Sequence, residues 1–396
     1  MQVLFWLSIG LDRRTPSEHL LTDMVEALYR QGHTVHVLQK NTNGPKEALP
    51  QRMLELGVET TRIDCKPTQK DNLAARLLAD VKYVLRCVKW LKAYRTFDRI
   101  FMQSSNVAGI QTRILRHTQK GIPAIFNVQD IFPENAVYSG KMKANGFVYK
   151  CFAFMQRHAY RYASKIITIS EDMKDQLVEI GTPADKIEVV YNWSYRDTMY
   201  DPSEIDYSCL EGIIDRSKFN VVYAGNIGVM QNVEIVVHAA ARMKEDKNIC
   251  FHIIGDGAYR KMLEQLAISL RADNVYFHDM MPSDCAPAIY SAADVNVIPL
   301  AKDIYRTALP SKTATCLACG KPIIFAIGQE AKLANILGKS TNCPMIGSND
   351  IEALCEAIQQ INRENIQCKM ENVFLSSFSK SENSGKYAEY IAGIHV

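Results

Sequence analysis

The sequence predicts an α/β protein made of two doubly wound, Rossmann-like domains of parallel strands. Three observations carry that prediction. The chain opens on an unbroken apolar run, Val3-Leu4-Phe5-Trp6-Leu7, followed by a loop, a helical stretch and a second strand. The same alternation restarts at Phe219-Asn220-Val221-Val222-Tyr223-Ala224. Between the two halves, residues 196–217 scatter Asp, Pro, Ser and Gly among few periodic positions, as a linker does.

The elements then fall in order. The first strand ends at Ser8-Ile9-Gly10, and Thr15-Pro16-Ser17-Glu18 supplies a capping box with proline at the first helical position. That helix runs to Gln31-Gly32, and Thr34-Val35-His36-Val37-Leu38 is the next strand. Further units read as helix 72–95, strand 98–102, helix 107–119, strand 123–128, helix 144–162, strand 165–169 and a closing strand at 187–191. In the second half, Gly225-Asn226-Ile227-Gly228 leads from the restarting strand into a helix at 231–243. Strand 250–254 ends at Gly255-Asp256-Gly257, and strands near 274–277, 294–298 and 322–326 complete a second sheet. The boundaries expected are 1–196, a linker at 197–217, and 218–379, with a closing helix in 380–396 packing back on the first domain. Two such domains would leave one deep cleft, with ligands at the carboxyl ends of the strands.

Composition narrows the function. Lys+Arg of 46 against Asp+Glu of 43 leaves too small a positive excess to suggest a nucleic-acid partner. No apolar run approaches bilayer length, and Met1 leads straight into a strand without a secretory leader, so a cytoplasmic chain is expected. The eleven cysteines are scattered through apolar segments, as at Cys87, Cys151 and Cys250, which suits reduced thiols. Cys316 and Cys319 form one C-x-x-C, but no second pair follows to complete a zinc site.

The most informative stretch is Leu309-Pro310-Ser311-Lys312-Thr313, ending in Leu317-Ala318-Cys319-Gly320-Lys321-Pro322. Ser311 reads as an N-cap, a short helix runs to about Leu317, and Gly320 provides the positive φ that ends it. A helix start presents unpaired N–H groups, and Lys312 adds a mobile cation in the same turn. That pairing suits a phosphate or diphosphate.

Taken in order, Tyr223-Ala224-Gly225-Asn226-Ile227-Gly228, Ile253-Ile254-Gly255-Asp256-Gly257, Ala293-Asp294-Val295 with Pro299, and Leu317 to Pro322 resemble a family-4-type retaining glycosyltransferase of GT-B fold. Arg30-Gln31-Gly32-His33-Thr34-Val35 and Val190-Tyr191-Asn192 match weaker signatures of its first domain. The nearest subgroup contains bacterial enzymes of O-antigen, capsule and exopolysaccharide assembly. Two departures stand out. The Arg and Lys that usually follow the second domain's first glycine are Asn226 and Gln231 here, and the paired glutamates that contact the donor sugar are Thr307 and Thr315.

The resemblance implies a nucleotide-diphosphate sugar, UDP-linked in this subgroup, and a lipid-linked saccharide acceptor. Gly10, Gly225, Asn226, Gly228, Gln231, Thr307, Pro310, Ser311, Lys312 and Thr313 are the expected donor contacts, with Asp256, Gly257, Met280 and Met281 bordering the base. Lys312 and Arg306 would steady the departing diphosphate, so that no metal or other cofactor is expected. On the acceptor side, Asn127-Val128-Gln129-Asp130-Ile131-Phe132-Pro133-Glu134 follows a strand end, and Asp130, helped by Glu134, would orient or deprotonate an acceptor hydroxyl. An ordinary turn-capping role for the same carboxylates competes with that reading. Alternatives are a nucleotide-sugar 2-epimerase on the same fold and a non-catalytic nucleotide-sugar-binding partner of another transferase.

One helix suggests a membrane. In 73–95, Lys82, Arg86 and Lys89 lie opposite a core stripe of Leu73, Leu77, Val81, Val84, Val88 and Leu91, with Tyr83, Trp90 and Tyr94 between them. This points to peripheral contact with anionic lipid at the inner face of the cytoplasmic membrane. Residues 147–162 repeat the same mixture of aromatic and basic side chains. The commoner explanation of such faces is a solvated basic surface whose aromatics pack inward.

Overall fold

The computed structural model describes residues 1–8, 11, 18–42, 50–65, 73–94, 97–338 and 341–393. Gly10 and the expected capping residues Thr15, Pro16 and Ser17 lie outside the described residues. The chain divides into two units, Met1–Tyr191 with the chain from Ser381 onward, and Asn192–Lys380.

The first unit is a parallel sheet of β1 (Gln2–Leu7), β2 (Thr34–Thr42), β3 (Glu59–Cys65), β4 (Arg99–Gln103), β5 (Ala124–Val128), β6 (Lys165–Thr168) and β7 (Ile187–Val189). Their spatial order is β3-β2-β1-β4-β5-β6-β7, so the winding reverses between β1 and β4. Val3 through Leu7 are all fully buried, as expected of a central strand covered on both faces. The helices are α1 (Glu18–Arg30), α2 (Gln51–Glu55), α3 (Leu73–Ala93), α4 (Ala108–Thr118), α5 (Glu134–Tyr138), α6 (Phe147–Tyr162) and α7 (Glu171–Glu179). β3 and α2 have no counterpart in the sequence reading. β3 is an edge strand whose mostly polar residues stay half-exposed while its backbone pairs with β2 from His36↔Glu59 to Thr42↔Cys65. An edge strand of that kind carries no apolar signal to read.

The second unit is a parallel sheet of β8 (Phe219–Ala224), β9 (Ile249–Ile254), β10 (Val275–His278), β11 (Val295–Pro299), β12 (Ile323–Ala326) and β13 (Met345–Ile346). Its order is β10-β9-β8-β11-β12-β13, and the reversal falls between β8 and β11. Helices α8 (Glu234–Arg242), α9 (Arg260–Leu270), α10 (Ala286–Ala292), α11 (Thr313–Ala318), α12 (Leu333–Leu337), α13 (Ile351–Glu364) and α14 (Glu371–Ser377) connect and cover it. Val221, Tyr223, Phe251, Ile253, Val297 and Ile324 of the strands share one core with Val236 and Ile358 of the helices.

Residues 197–217, expected as the linker, group with the second unit. They form two 3₁₀ turns, Pro202–Glu204 and Ser208–Leu210. Leu210 and Ile214 are buried, and the Tyr200 amide donates to Ala318 at 2.8 Å. The scattered Asp and Ser residues make local side-chain turns, such as Ser203 N–H to Asp201 at 2.9 Å, which explains the lack of periodicity. The last helix, α15 (Lys380–Ala392), lies with the first unit. There the Tyr387 hydroxyl donates to Asn127 Oδ1 at 3.0 Å, and Asn383 donates to the Tyr191 carbonyl at 2.9 Å.

Candidate functional site

In the second unit, three loops meet at the carboxyl ends of β8, β9 and β10. The Gly225 amide donates to Ile254 O at 2.9 Å, Ile227 N–H to Asp256 O at 2.9 Å, and Gly255 N–H to His278 O at 3.0 Å. Glycine is required at this meeting point. A Cβ on Gly255 would stand 1.9 Å from the Gly225 carbonyl oxygen, so any side chain would force the loops apart. Asp256 caps its neighbour, accepting from Gly257 N–H at 2.8 Å. Arg260 bridges the third loop, donating to Asp279 at 2.7 Å and to Glu264 at 2.9 Å, and leaves Met280 more than half exposed beside it.

Lys312 reaches the same loops from the segment after β11, across the reversal of the sheet. Its Nζ lies 3.7 Å from the centre of the Tyr223 ring and 2.9 Å from where a Cβ on Gly225 would stand. Tyr223 is fully buried beneath it, at the end of β8. Desolvation pulls the Lys312 ammonium down to about 7, so the amine sits poised between its neutral and charged forms near neutral pH. An incoming anion would restore the lost charge stabilisation. The residues do not announce Tyr223 as a partner; the one signal is an aromatic just before the glycine loop.

The structure modifies several sequence expectations here. The helix α11 begins at Thr313, Lys312 occupies the cap position, and Ser311 is exposed without capping it. Pro310 instead closes the turn, its carbonyl accepting from Thr313 N–H at 3.1 Å. Thr307, expected against the donor sugar, is fully buried and its hydroxyl donates to Ile304 O at 3.1 Å. Thr313 is likewise buried, with its hydroxyl inside the protein. Thr315, which with Thr307 stands where the paired glutamates usually do, is buried as well. Asn226 donates to Gln231 Oε1 at 2.9 Å across Gly228, so the two neutral residues hold each other. Arg306 sits half-buried on the 3₁₀ turn Ile304–Arg306. Gly320 does end the helix, with φ of 69°.

In the first unit, Asp130 follows β5 at the carboxyl edge of the sheet. Its loop is anchored by Ser104, which donates to Asn127 O at 3.0 Å and accepts from Gln129 N–H at 2.7 Å. Solvent still reaches Asp130, but the surrounding protein strips much of its hydration and pushes its carboxyl up to about 6. Glu134 opens α5 and is nearly buried; burial raises its carboxyl above the usual range. Its Oε1 accepts from the Tyr149 hydroxyl at 3.1 Å, which ties α5 to α6.

The expected aromatic seam of α3 does not face outward as one surface. Tyr83 is fully buried and donates to Leu7 O at 2.7 Å, because the core face of the helix runs through Tyr83, Val84, Cys87 and Leu91. Trp90 stacks on Tyr94 at 4.5 Å and leans on His36 of β2 at 4.9 Å. Lys82, Arg86 and Lys89 are exposed, and Arg86 donates to the Asp64 carbonyl. Among the described residues no helix is long and apolar enough to cross a membrane, and no three His, Cys, Asp or Glu side chains cluster to hold a metal. All eleven cysteines are free thiols.

This geometry has counterparts in known proteins. Residues 18–193 match the family model of a glycosyl transferase 4-like domain, and residues 218–364 match that of glycosyl transferases group 1. The chain belongs to this family of glycosyltransferases. It is 24% identical over 329 residues to WbjE, a probable glycosyltransferase of Pseudomonas aeruginosa, covering 82% of this chain and 80% of that one. It is also 24% identical over 353 residues to WcaI of Escherichia coli (strain K12), named for glycosyl transfer in colanic acid biosynthesis, covering 85% and 86%. The fold matches the crystal structure of Anabaena Alr3699/HepE in complex with UDP and glucose. There the TM-score is 0.67 at 17% identity, over 99% of this chain and 95% of that one. The two parallel-sheet units are those of the GT-B fold, and the enzyme is a glycosyltransferase.

Proposed function

We propose that this glycosyltransferase moves a sugar from a UDP-linked donor to a lipid-linked saccharide during assembly of a bacterial surface polysaccharide, an O-antigen or capsule. One observation carries the reading. Lys312 is held over Tyr223 and against Gly225, where backbone loops from β8 and β9 leave no room for side chains. A desolvated ammonium beside bare backbone is complementary to a diphosphate, and a diphosphate is the leaving group of this transfer. The complex of Anabaena HepE with UDP and glucose, and the colanic acid assignment of WcaI, support the donor and pathway class.

In the proposed reaction an acceptor hydroxyl oxygen forms a bond to the anomeric carbon as the bond to the diphosphate oxygen breaks. The departing oxygen lies on the same face and accepts the hydroxyl proton, so configuration is retained. Lys312 supplies the positive charge that neutralises the leaving diphosphate, with Arg306 in support and no metal required. Asp130 orients the acceptor hydroxyl from the first unit. Asn226, Gln231 and Asp256 border the nucleotide, while Thr307 and Thr313 shape the site from beneath.

Calorimetric titration without added metal tests the donor site. UDP should bind more tightly than UMP, and Lys312→Ala should weaken UDP by about 1.5–3 kcal/mol, the value of a charge-assisted hydrogen bond. Equal binding of UDP by the variant would remove Lys312 from the site.

A further inference from the structure

Helix α6 carries a face that the transfer reaction leaves unused. At about 100° per residue, Phe147, Lys150, Phe154, Arg157, His158 and Arg161 fall within an arc of about 120°. Phe147 is 82% exposed and Phe154 74%. The opposite arc is the packed one, where Ala153, Gln156, Ala159 and Tyr160 are buried. Two bare phenylalanines on one helix face are a standing cost in water, so a cover is called for. The charge on the face says what that cover is. The helix contains no Asp or Glu, and its basic side chains border a recess of 440 Å³ that Asn145, Tyr149 and Phe154 also line.

The geometry points to α6 as the surface by which this enzyme docks on an anionic phospholipid bilayer. Phe147 and Phe154 enter the boundary between headgroups and acyl chains, and the basic recess takes a lipid phosphate. The mixture of apolar anchors and cations, without one acid, complements a negatively charged apolar layer better than it does a protein surface. On α3, Leu78 and Leu85 are also exposed beside Lys82, Arg86 and Lys89, but only to about half, while Tyr83 is buried and Trp90 lies on His36, so α6 carries the larger and barer apolar anchors. Docking through α6 also serves the proposed acceptor, and only this clause rests on that reading. Phe152 of α6 meets Phe132 at 5.1 Å, and Tyr149 bonds Glu134, so the docked helix is braced against the loop that bears Asp130.

Sedimentation of the full chain with vesicles tests the inference. The wild type should bind vesicles of phosphatidylcholine with phosphatidylglycerol, weakly bind phosphatidylcholine alone, and release as salt rises. Phe147→Ser with Phe154→Ser, and separately Lys150→Ser with Arg161→Ser, should each lower the partition coefficient at least about tenfold. The α3 variant Lys82→Ser, Arg86→Ser, Lys89→Ser should keep it. Unchanged sedimentation of both α6 variants overturns the inference, as does loss in the α3 variant alone or a wild type that ignores anionic vesicles. Thermal melting shows that the variants fold. UDP titration reports the donor site separately, so failure of docking and failure of the transferase reading give different results.

Discussion

Asp130 illustrates how a functional reading separates from a structural one at a single residue. Its carboxyl is raised to about 6 by desolvation, so the folded protein holds that proton more tightly than the unfolded chain does. Stability therefore falls as pH rises through the window between the usual carboxylate value and about 6, and because Asp130 is exposed at its surface, solvent screening keeps that slope shallow. A carboxylate kept only to cap a turn would be expected to stabilise its loop. Asp130→Asn should consequently leave the melting temperature at pH 7 equal or higher, while kcat falls about 100-fold or more. Nucleotide affinity should be retained. Near-normal turnover in this variant would dismiss Asp130 from the reaction. Glu134 differs, because its bond to Tyr149 makes it a brace for α6 whatever else it does. The carboxylates were legible in the sequence as a pair near a strand end. Their division of labour was not, because it depends on which one α6 happens to cover.

At the scale of elements, legibility follows burial. Strands such as β1 and β8, apolar at all but one position each, are readable because both faces are covered. The polar edge strand β3 and the packed turns of 197–217 were not, since backbone pairing and Asp–Ser turns leave no apolar period. The register of α3 was misjudged for a related reason. Its exposed Leu78 and Leu85 make the apolar stripe too wide to locate from sequence, and the tertiary contact of Tyr83 with Leu7 decides it. The seat of α6 depends on one small residue. A Cβ on Gly109 of α4 would stand 2.5 Å from the Met155 carbonyl oxygen of α6, so the two helices approach as closely as backbones allow. Gly109→Ala must push them apart and should cost about 1–3 kcal/mol of stability in denaturant unfolding, despite alanine's better helix propensity. A variant as stable as the wild type would mean that α6 shifts freely.

For the whole molecule, each unit contributes one titrating group to the proposed reaction, and their signs are opposite. Lys312, in the second unit, is needed charged, and its ammonium titrates at about 7 because burial disfavours the charge. Asp130, in the first unit, is needed ionised and titrates at about 6. The free enzyme holds both required forms together only in a narrow window between these values. The kcat/KM profile should therefore be a narrow bell, rising as Asp130 ionises and falling as Lys312 loses its proton. Asp130→Asn should abolish the acid limb and Lys312→Arg the alkaline limb, because a guanidinium stays charged throughout. A bound diphosphate favours the ammonium and raises its titration point, so the alkaline limb of kcat should lie above that of kcat/KM. UDP binding at pH 8 should accordingly take up a proton, measurable as a binding heat that changes with the ionisation enthalpy of the buffer. Binding without proton uptake, together with a flat alkaline limb, would show that the cation facing the diphosphate is a permanently charged group such as Arg306 and that Lys312 serves only to pack against Tyr223.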